Sequence, residues 1–485
     1  MRAIASAAAV LLLAAASACG SSGGPPPGVT ESAVEIAAPS SAGKDVDPTR
    51  GAGLASVLCP SATACTGLGG YHVLHGPSVR QFRLILRDGT WTPDDRYPPL
   101  LGLYDFACPS ITSCVGVTNH GPGVSLVSES GTTWRKTPLA LPGSPADSSI
   151  DISALACGGP VECVAFGSYR PQGGPSHAFL VSDHAGTWER PVLLRVEFSS
   201  VACAAPGECT ALGSKSAGHG ALFPWVMSEH GGQWGHAQFL ALPADASSAR
   251  DSRGKSPFMG FSGLACPSPG NCTAAGGYVD RRHDFEGVLF TERNGRWLPG
   301  VKAPSPADAV PWTDGNELVD PLGAVACGAP DDCSVLGSYV KDASGYTRAM
   351  LLSEHDGRWT AIVPSLPSSA PGGVALTGVE CPSRGECVVV GWYSTGHDTP
   401  GQYGDATFGL VLLEGHGLWE HGFAAAVPRN AAGSAGSHTL LDSVVCQTPR
   451  LCRIDGSYVD KEGAALKPGP PGPPQRAFLL TLRLG

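Results

Sequence analysis

Charge is scarce in this chain. Only 15 % of its 485 residues are Asp, Glu, Lys or Arg, and the acids outnumber the bases to leave a formal net charge of −10. No stripe of Lys and Arg runs anywhere along it, which argues against a phosphate-backbone partner, so no nucleic acid is expected. After the N-terminus there is no apolar run long enough to span a bilayer. The composition is not that of a helical protein either: 65 glycines and 43 prolines describe a chain rich in turns and loops. A chain this long would ordinarily divide into several domains. Its repeats argue for one.

The repeats are written in cysteine. Of 17 cysteines, Cys19 stands apart and sixteen fall into eight pairs of identical C-x5-C spacing. They are Cys59/Cys65, Cys108/Cys114, Cys157/Cys163, Cys203/Cys209, Cys266/Cys272, Cys327/Cys333, Cys381/Cys387 and Cys446/Cys452. A short strand precedes each pair, as in Ile152–Cys157, and another follows, as in Cys163–Tyr169. A variable loop, a third strand such as Ala178–Ser182 and a tight turn then lead to a tryptophan and a fourth strand. Alternating apolar and β-branched residues bounded by Gly, Pro, Ser and Asp support these strands. Four strands per repeat, eight times over, predict an all-β, eight-bladed β-propeller with one intrablade disulfide per blade.

The turn before the tryptophan is specific. Glycine stands two residues ahead of Trp91, Trp188, Trp234, Trp297, Trp359 and Trp419, often as Asp-Gly or Asn-Gly, which suits a type I′ hairpin. The hairpin Ser353-Glu354-His355-Asp356-Gly357-Arg358-Trp359 resembles the Asp-box (BNR) repeat of sialidases and related propellers, one residue shorter. The eighth repeat stops at its third strand, Ala477–Leu482, leaving an edge to be filled. The segment Ser32–Ala37 is the expected donor, so a single propeller is read over 32–485.

Each cysteine pair flanks a five-residue connection, and facing residues of such a hairpin lie within bridging distance, at about 4.5–5.5 Å between Cα atoms. The repeat therefore assigns the bridges locally, first cysteine to second. Closing a loop this short restricts the unfolded chain by about 2.4 kcal/mol at most. Zinc would need four ligands per site and a reducing compartment, so no metal and no cofactor is expected.

The N-terminus reads as an address. Met1-Arg2, an apolar run from Ala7 to Ala16 and the small residues before Cys19 make a secretory signal over 1–18. The passage Ser17-Ala18-Cys19-Gly20 resembles the lipobox of bacterial lipoproteins, with Ala16 where a leucine is usual. That resemblance implies that Cys19 becomes a lipidated first residue carrying fatty-acyl chains such as palmitate, held at the extracytoplasmic face of the cell membrane. The stretch to residue 31, rich in Gly, Ser and Pro, reads as a tether.

Length variation collects in loops on one end of the blades, opposite the cysteine and Gly-x-Trp hairpins, so binding is expected at that loop end. Six residues after the second cysteine stand Tyr71, Tyr169, Tyr278, Tyr339, Tyr393 and Tyr458, with His120 and Lys215 in the other two blades. Two readings fit these tyrosines: a rim for an extracellular ligand, each ring offering an apolar face and a polar tip, or packing between blades. Asp280–Glu286 is the densest charged loop, and His184, His230, His355 and His416 fall in turns on different blades. The sialidase likeness implies an arginine cluster and a tyrosine–glutamate pair, yet no arginine recurs at a fixed blade position and no catalytic residue carries over. The expectation is a surface-anchored, non-catalytic binding or scaffold lipoprotein. A glycan-active enzyme and an assembly factor are the alternatives.

Overall fold

In blade three, Ser149–Gly159, Glu162–Arg170 and His177–His184 run antiparallel, and Thr187–Trp188 adds the outer edge. The computed structural model repeats this order in eight sheets. It describes residues 24–485 apart from short connections, of which 248–255, 312–321, 396–405 and 465–474 are the longest. Residues 1–23, Cys19 among them, and His120 lie outside the described residues. Each inner strand lies against the inner strand of the next blade, and that of blade eight lies against blade one. The protein is an all-β, eight-bladed propeller. In blades three, four, five and seven the outer strand is broken into two short pieces that both pair with the third strand.

Thr30–Glu35 supplies the outer strand of blade eight, pairing antiparallel with Gln475–Arg483 from Thr30↔Arg483 to Glu35↔Phe478. Side chains fix its position. Glu35 takes Arg476 at 3.3 Å and Asn430 Nδ2 at 2.9 Å, and Glu31 accepts the backbone N–H of Ala426.

All eight C-x5-C pairs are intrablade disulfides, with Cα atoms 3.9–4.1 Å apart. That is closer than the spacing expected from the sequence, as suits side chains on a directly opposed, non-hydrogen-bonded pair. The Gly-x-Trp turns are type I′ where both central residues are described: Gly231/Gly232, Asn294/Gly295, Asp356/Gly357 and His416/Gly417 all have positive φ. They sit at the same end as the cysteine hairpins and are tied to them, Gly232 N–H to Gly207 O at 3.1 Å and Gly295 N–H to Gly270 O at 2.8 Å.

Each pair of blades closes over its own apolar core. Between blades three and four, Phe166 and Leu180 meet Trp225 and Met227, with Trp234 edge-on to Phe166 at 5.3 Å. In blades one, three, four and eight the second strand carries a glycine where the third strand brings an aromatic ring. At Gly213 an added Cβ would lie 1.8 Å from Glu197 O and 2.6 Å from the Trp225 ring. Glycine is needed there for close approach, not for turning. Opposite it the inner strand bulges, at Phe198/Ser200 in blade four and at the equivalent place in the other blades.

Candidate functional site

The six tyrosines do not form a ligand-binding rim. Tyr71, Tyr169, Tyr278, Tyr339, Tyr393 and Tyr458 are between 0 and 5 % exposed and belong to the cores between blades. The reason is that the rings pack in the cores between blades, and for four of them the connection between the two blades satisfies the hydroxyl. Tyr278 donates to Asp245 Oδ1 at 2.9 Å, Tyr458 to Asn430 Oδ1 at 2.9 Å and Tyr169 to the Pro142 carbonyl at 3.2 Å. Tyr339 is bonded to Asp308. Burial raises the pKa of Tyr278, Tyr339 and Tyr458, which stay neutral donors.

The hydroxyl acceptors come from a turn that recurs in the connections. Pro243-Ala244-Asp245-Ala246, Pro306-Ala307-Asp308-Ala309 and Pro428-Arg429-Asn430-Ala431 each close with the alanine N–H on the proline carbonyl, at 2.9, 3.0 and 2.9 Å. Pro39 and Ala42 do the same ahead of blade one. Together, tyrosine and turn form a plug over the loop end of the seam. At the seam of blades one and two, where the tyrosine position is His120, Tyr97 of the connection is buried in its place and donates to Gln81 Oε1 at 2.9 Å.

The seam of blades three and four has neither part. The tyrosine position is Lys215, which is exposed, and the connection Pro191-Val192-Leu193-Leu194-Arg195-Val196 contains no such turn. Two residues separate the strands Val192–Leu194 and Glu197–Ala205. A cleft of about 760 Å³ opens here. Asp151 and Glu197, from the inner strands of the two blades, stand on its walls with Ser153, Ser214, His177 and Lys215. Lys215 also lines an adjoining apolar depression of about 480 Å³ with Phe223 and Phe239. Its Nζ sits 5.7 Å from the Phe239 ring centroid, a cation–π contact. Phe239 is 62 % exposed and Leu193 44 %. In blade five the positions of Phe223 and Phe239 hold Glu286 and Lys302, ion-paired at 2.6 Å. Blade four thus replaces a polar pair with an aromatic shelf beside this cleft.

The cysteines stand apart from this cleft, each first cysteine bridged to the second of its own blade as expected. Cys65, Cys114, Cys272, Cys333 and Cys387, each the second of its pair, are 0–3 % exposed and offer no surface to a ligand. The reason is their place at the start of the second strand, which neighbouring blades cover on both faces. A bridged sulfur carries no proton and can only accept a hydrogen bond, and the donor comes from the preceding blade. Gln447 Nε2 of blade eight reaches both Cys59 Sγ and Cys65 Sγ at 2.9 Å. The Thr210 hydroxyl of blade four lies 3.5 Å from Cys272 Sγ, that of Thr273 3.3 Å from Cys333 Sγ, and that of Ser334 3.5 Å from Cys387 Sγ. Cys114 differs, its sulfur lying 3.8 Å from the Ser110 carbonyl of its own hairpin. The bridges therefore staple their own blades and also pack the seams.

The remaining sequence candidates are structural as well. Asp280 organises its charged loop by accepting the N–H groups of Arg282 and Asp284 at 2.8 and 2.9 Å. Outside those candidates, Asp105 of blade two caps the Phe106 N–H at 2.8 Å, and Asp94 lies 3.4 Å from Arg83. The histidines meet acids at the disulfide end. His355 bridges Asp332 at 3.1 Å and, across the seam, Glu414 of blade seven at 3.0 Å; His230 holds Glu208 at 2.9 Å, and His416 is 3.6 Å from Glu386.

Glu414 belongs to a set the sequence reading missed. Glu129, Asp183, Glu229, Glu292, Glu354 and Glu414 occupy one position in blades two to seven, and all are buried. Burial raises the pKa of Asp183 to about 6 and of Glu354 to about 7, and raises those of Glu229, Glu292 and Glu414. Basic residues of the preceding blade offset part of this: Arg83 bonds Glu129 at 2.7 Å, and Arg293 acts on Glu354. The signal lay in the acid that recurs five residues before the hairpin tryptophan in blades two to seven.

No family model matches this sequence, and no curated protein matches it. Among solved structures the chain is similar to a prolyl endopeptidase at 10 % identity and a TM-score of 0.47, over 88 % of this chain. The likeness spans 55 % of that protein's length. It is also similar to the WD40 domain of SCAP from fission yeast, at 8 % identity and a TM-score of 0.43, over 94 % of this chain and 98 % of that one. A third similarity is to a subtype N10 neuraminidase-like protein of A/little yellow-shouldered bat/Guatemala, at 11 % identity and a TM-score of 0.32, over 68 % and 94 %. None of these likenesses says what the cleft does.

Proposed function

We propose that this chain is an exported lipoprotein, held outside the cell membrane by lipid on Cys19, which binds an extracellular ligand at the cleft of blades three and four without turning it over. One observation supports the reading most: the ring has a polarity. Thr30 pairs with Arg483, which in turn pairs with Leu451 beside the Cys446–Cys452 hairpin. The N-terminal strand therefore enters the ring at its disulfide end, and the cleft opens at the other. A tether running from Cys19 to that strand would set the disulfide end toward the membrane and present the cleft outward.

The test is to produce the full chain and its Cys19→Ser variant in a bacterium that processes lipoproteins. The expected result is acyl-modified protein in the membrane fraction and release of the variant. Wild-type protein without acyl groups in the soluble fraction would overturn the anchoring. Turnover of a glycoside substrate, abolished by Asp151→Asn or Glu197→Gln, would overturn the non-catalytic part.

A further inference from the structure

The propeller itself shows what fills the loop end of a seam: polypeptide. At four seams a connecting segment lies over this place and bonds to the residue that follows the tyrosine. Ser247 N–H donates to Val279 O, Val310 N–H to Val340 O, Ala432 N–H to Val459 O and Asp47 N–H to His72 O, at 2.8–2.9 Å. Isolated antiparallel bridges accompany three of these contacts, Ala246↔Asp280, Ala431↔Asp460 and Val46↔Val73. The walls that receive the plug at the seam of blades four and five have counterparts at the seam of blades three and four. Gly167, Ala178 and Leu194 correspond in register to Gly213, Pro224 and Leu240. The counterpart walls line the cleft, and among the described residues no connecting turn is bonded across it.

We infer that the cleft of blades three and four is a docking groove for a peptide segment of a partner protein, seated as the connecting turns are seated elsewhere. This rests on the binding reading above and names its ligand class. An aliphatic or aromatic side chain of the peptide covers the Phe223–Phe239 shelf, removing from water a ring that is 62 % exposed. Asp151 and Glu197, at the axial end of the groove, take a basic or amide donor of the same segment. Lys215, which lines both depressions, stands between the two subsites.

The test uses the full-length protein in detergent and a fluorescent peptide copying residues 240–248 with Asp245→Lys, which supplies the basic donor for Asp151 and Glu197, followed by anisotropy. The expected result is saturable binding with a Kd of about 1 mM or tighter. Lys215→Tyr refills the seat with the residue found in six other blades and should weaken binding at least about tenfold. Phe239→Ser, at an exposed position, should do the same and keeps the test valid if Lys215→Tyr misfolds. Absence of saturation, or equal binding by wild type and both variants, overturns the inference. A chitohexaose probe is titrated in parallel. Saccharide binding lost in Phe239→Ser, with no peptide binding, would overturn the peptide assignment and leave the binding-protein reading intact.

Discussion

Glu354 offers a direct test of how blade seams respond to proton activity. Its side chain ends the third strand of blade six and is 1 % exposed. Burial first, then the nearby Asp331, raises its pKa from 4.5 to about 7, against the opposing pull of Arg293. The folded state therefore holds this proton more tightly than the unfolded chain does. The stabilisation is complete below the unfolded value of 4.5 and disappears as pH rises through about 7. At one pKa unit per 1.36 kcal/mol, the ionised form is disfavoured by at most about 3 kcal/mol above that range. Glu354→Gln keeps a similar shape and does not titrate. Compared by calorimetry from about pH 5 to about pH 8, the wild type should lose stability relative to the variant by about 1.5–3 kcal/mol. From the usual unfolding entropy per residue, that is a relative shift of about 2–3 °C in a chain of this size. His355, whose pKa is raised from 6.5 although burial opposes it, acts in the same direction: its contribution is complete below 6.5 and is lost above its folded value. A difference between wild type and Glu354→Gln that stayed constant over the whole range would refute the reasoning.

Two further outcomes follow from packing. Gly213→Ala should destabilise the protein by about 3 kcal/mol or more, since the new methyl overlaps Glu197 O and the Trp225 ring. Gly53→Ala, which meets nothing within 4 Å, serves as the control in the same denaturant titration. Tyr278→Phe removes the hydroxyl bonded to Asp245 and should lower stability by about 1 kcal/mol, read as a lower unfolding midpoint with unchanged circular dichroism.

The architecture was legible because its cause is periodic and local. The eight C-x5-C hairpins and the Gly-x-Trp turns each act within a few residues, so spacing alone places the strands and the bridges. What the bridges touch was not legible: the contact of Cys333 with Thr273 exists only once blades five and six are set side by side. The tyrosines were harder. A ring at the end of a strand has the same sequence signature whether it faces solvent or the next blade. Its partner decides, and Asp245 and Tyr278 are brought together only by the ring. The recurring Pro-x-Asx-Ala turns were visible in the chain, but their meaning depends on the tyrosine that follows in the next blade. The buried acids had the same difficulty. Glu354, beside a polar turn, reads as a solvated residue until blade five is placed against it. Lys215 was visible as an exception among the tyrosines. Recognising it as an opening required the neighbouring connection to lack its turn as well.

The strand Thr30–Glu35 has a mechanical consequence. In a chain held at its N-terminus and loaded through a ligand on the far side of the ring, tension runs along this strand's own axis. Its six residue pairs with the last strand are then loaded together in shear rather than opened one by one. The Glu35 contacts to Arg476 and Asn430 add side-chain resistance at its inner end. Were the protein anchored through its N-terminus, the element that completes the eighth sheet would also be the grip on the whole wheel.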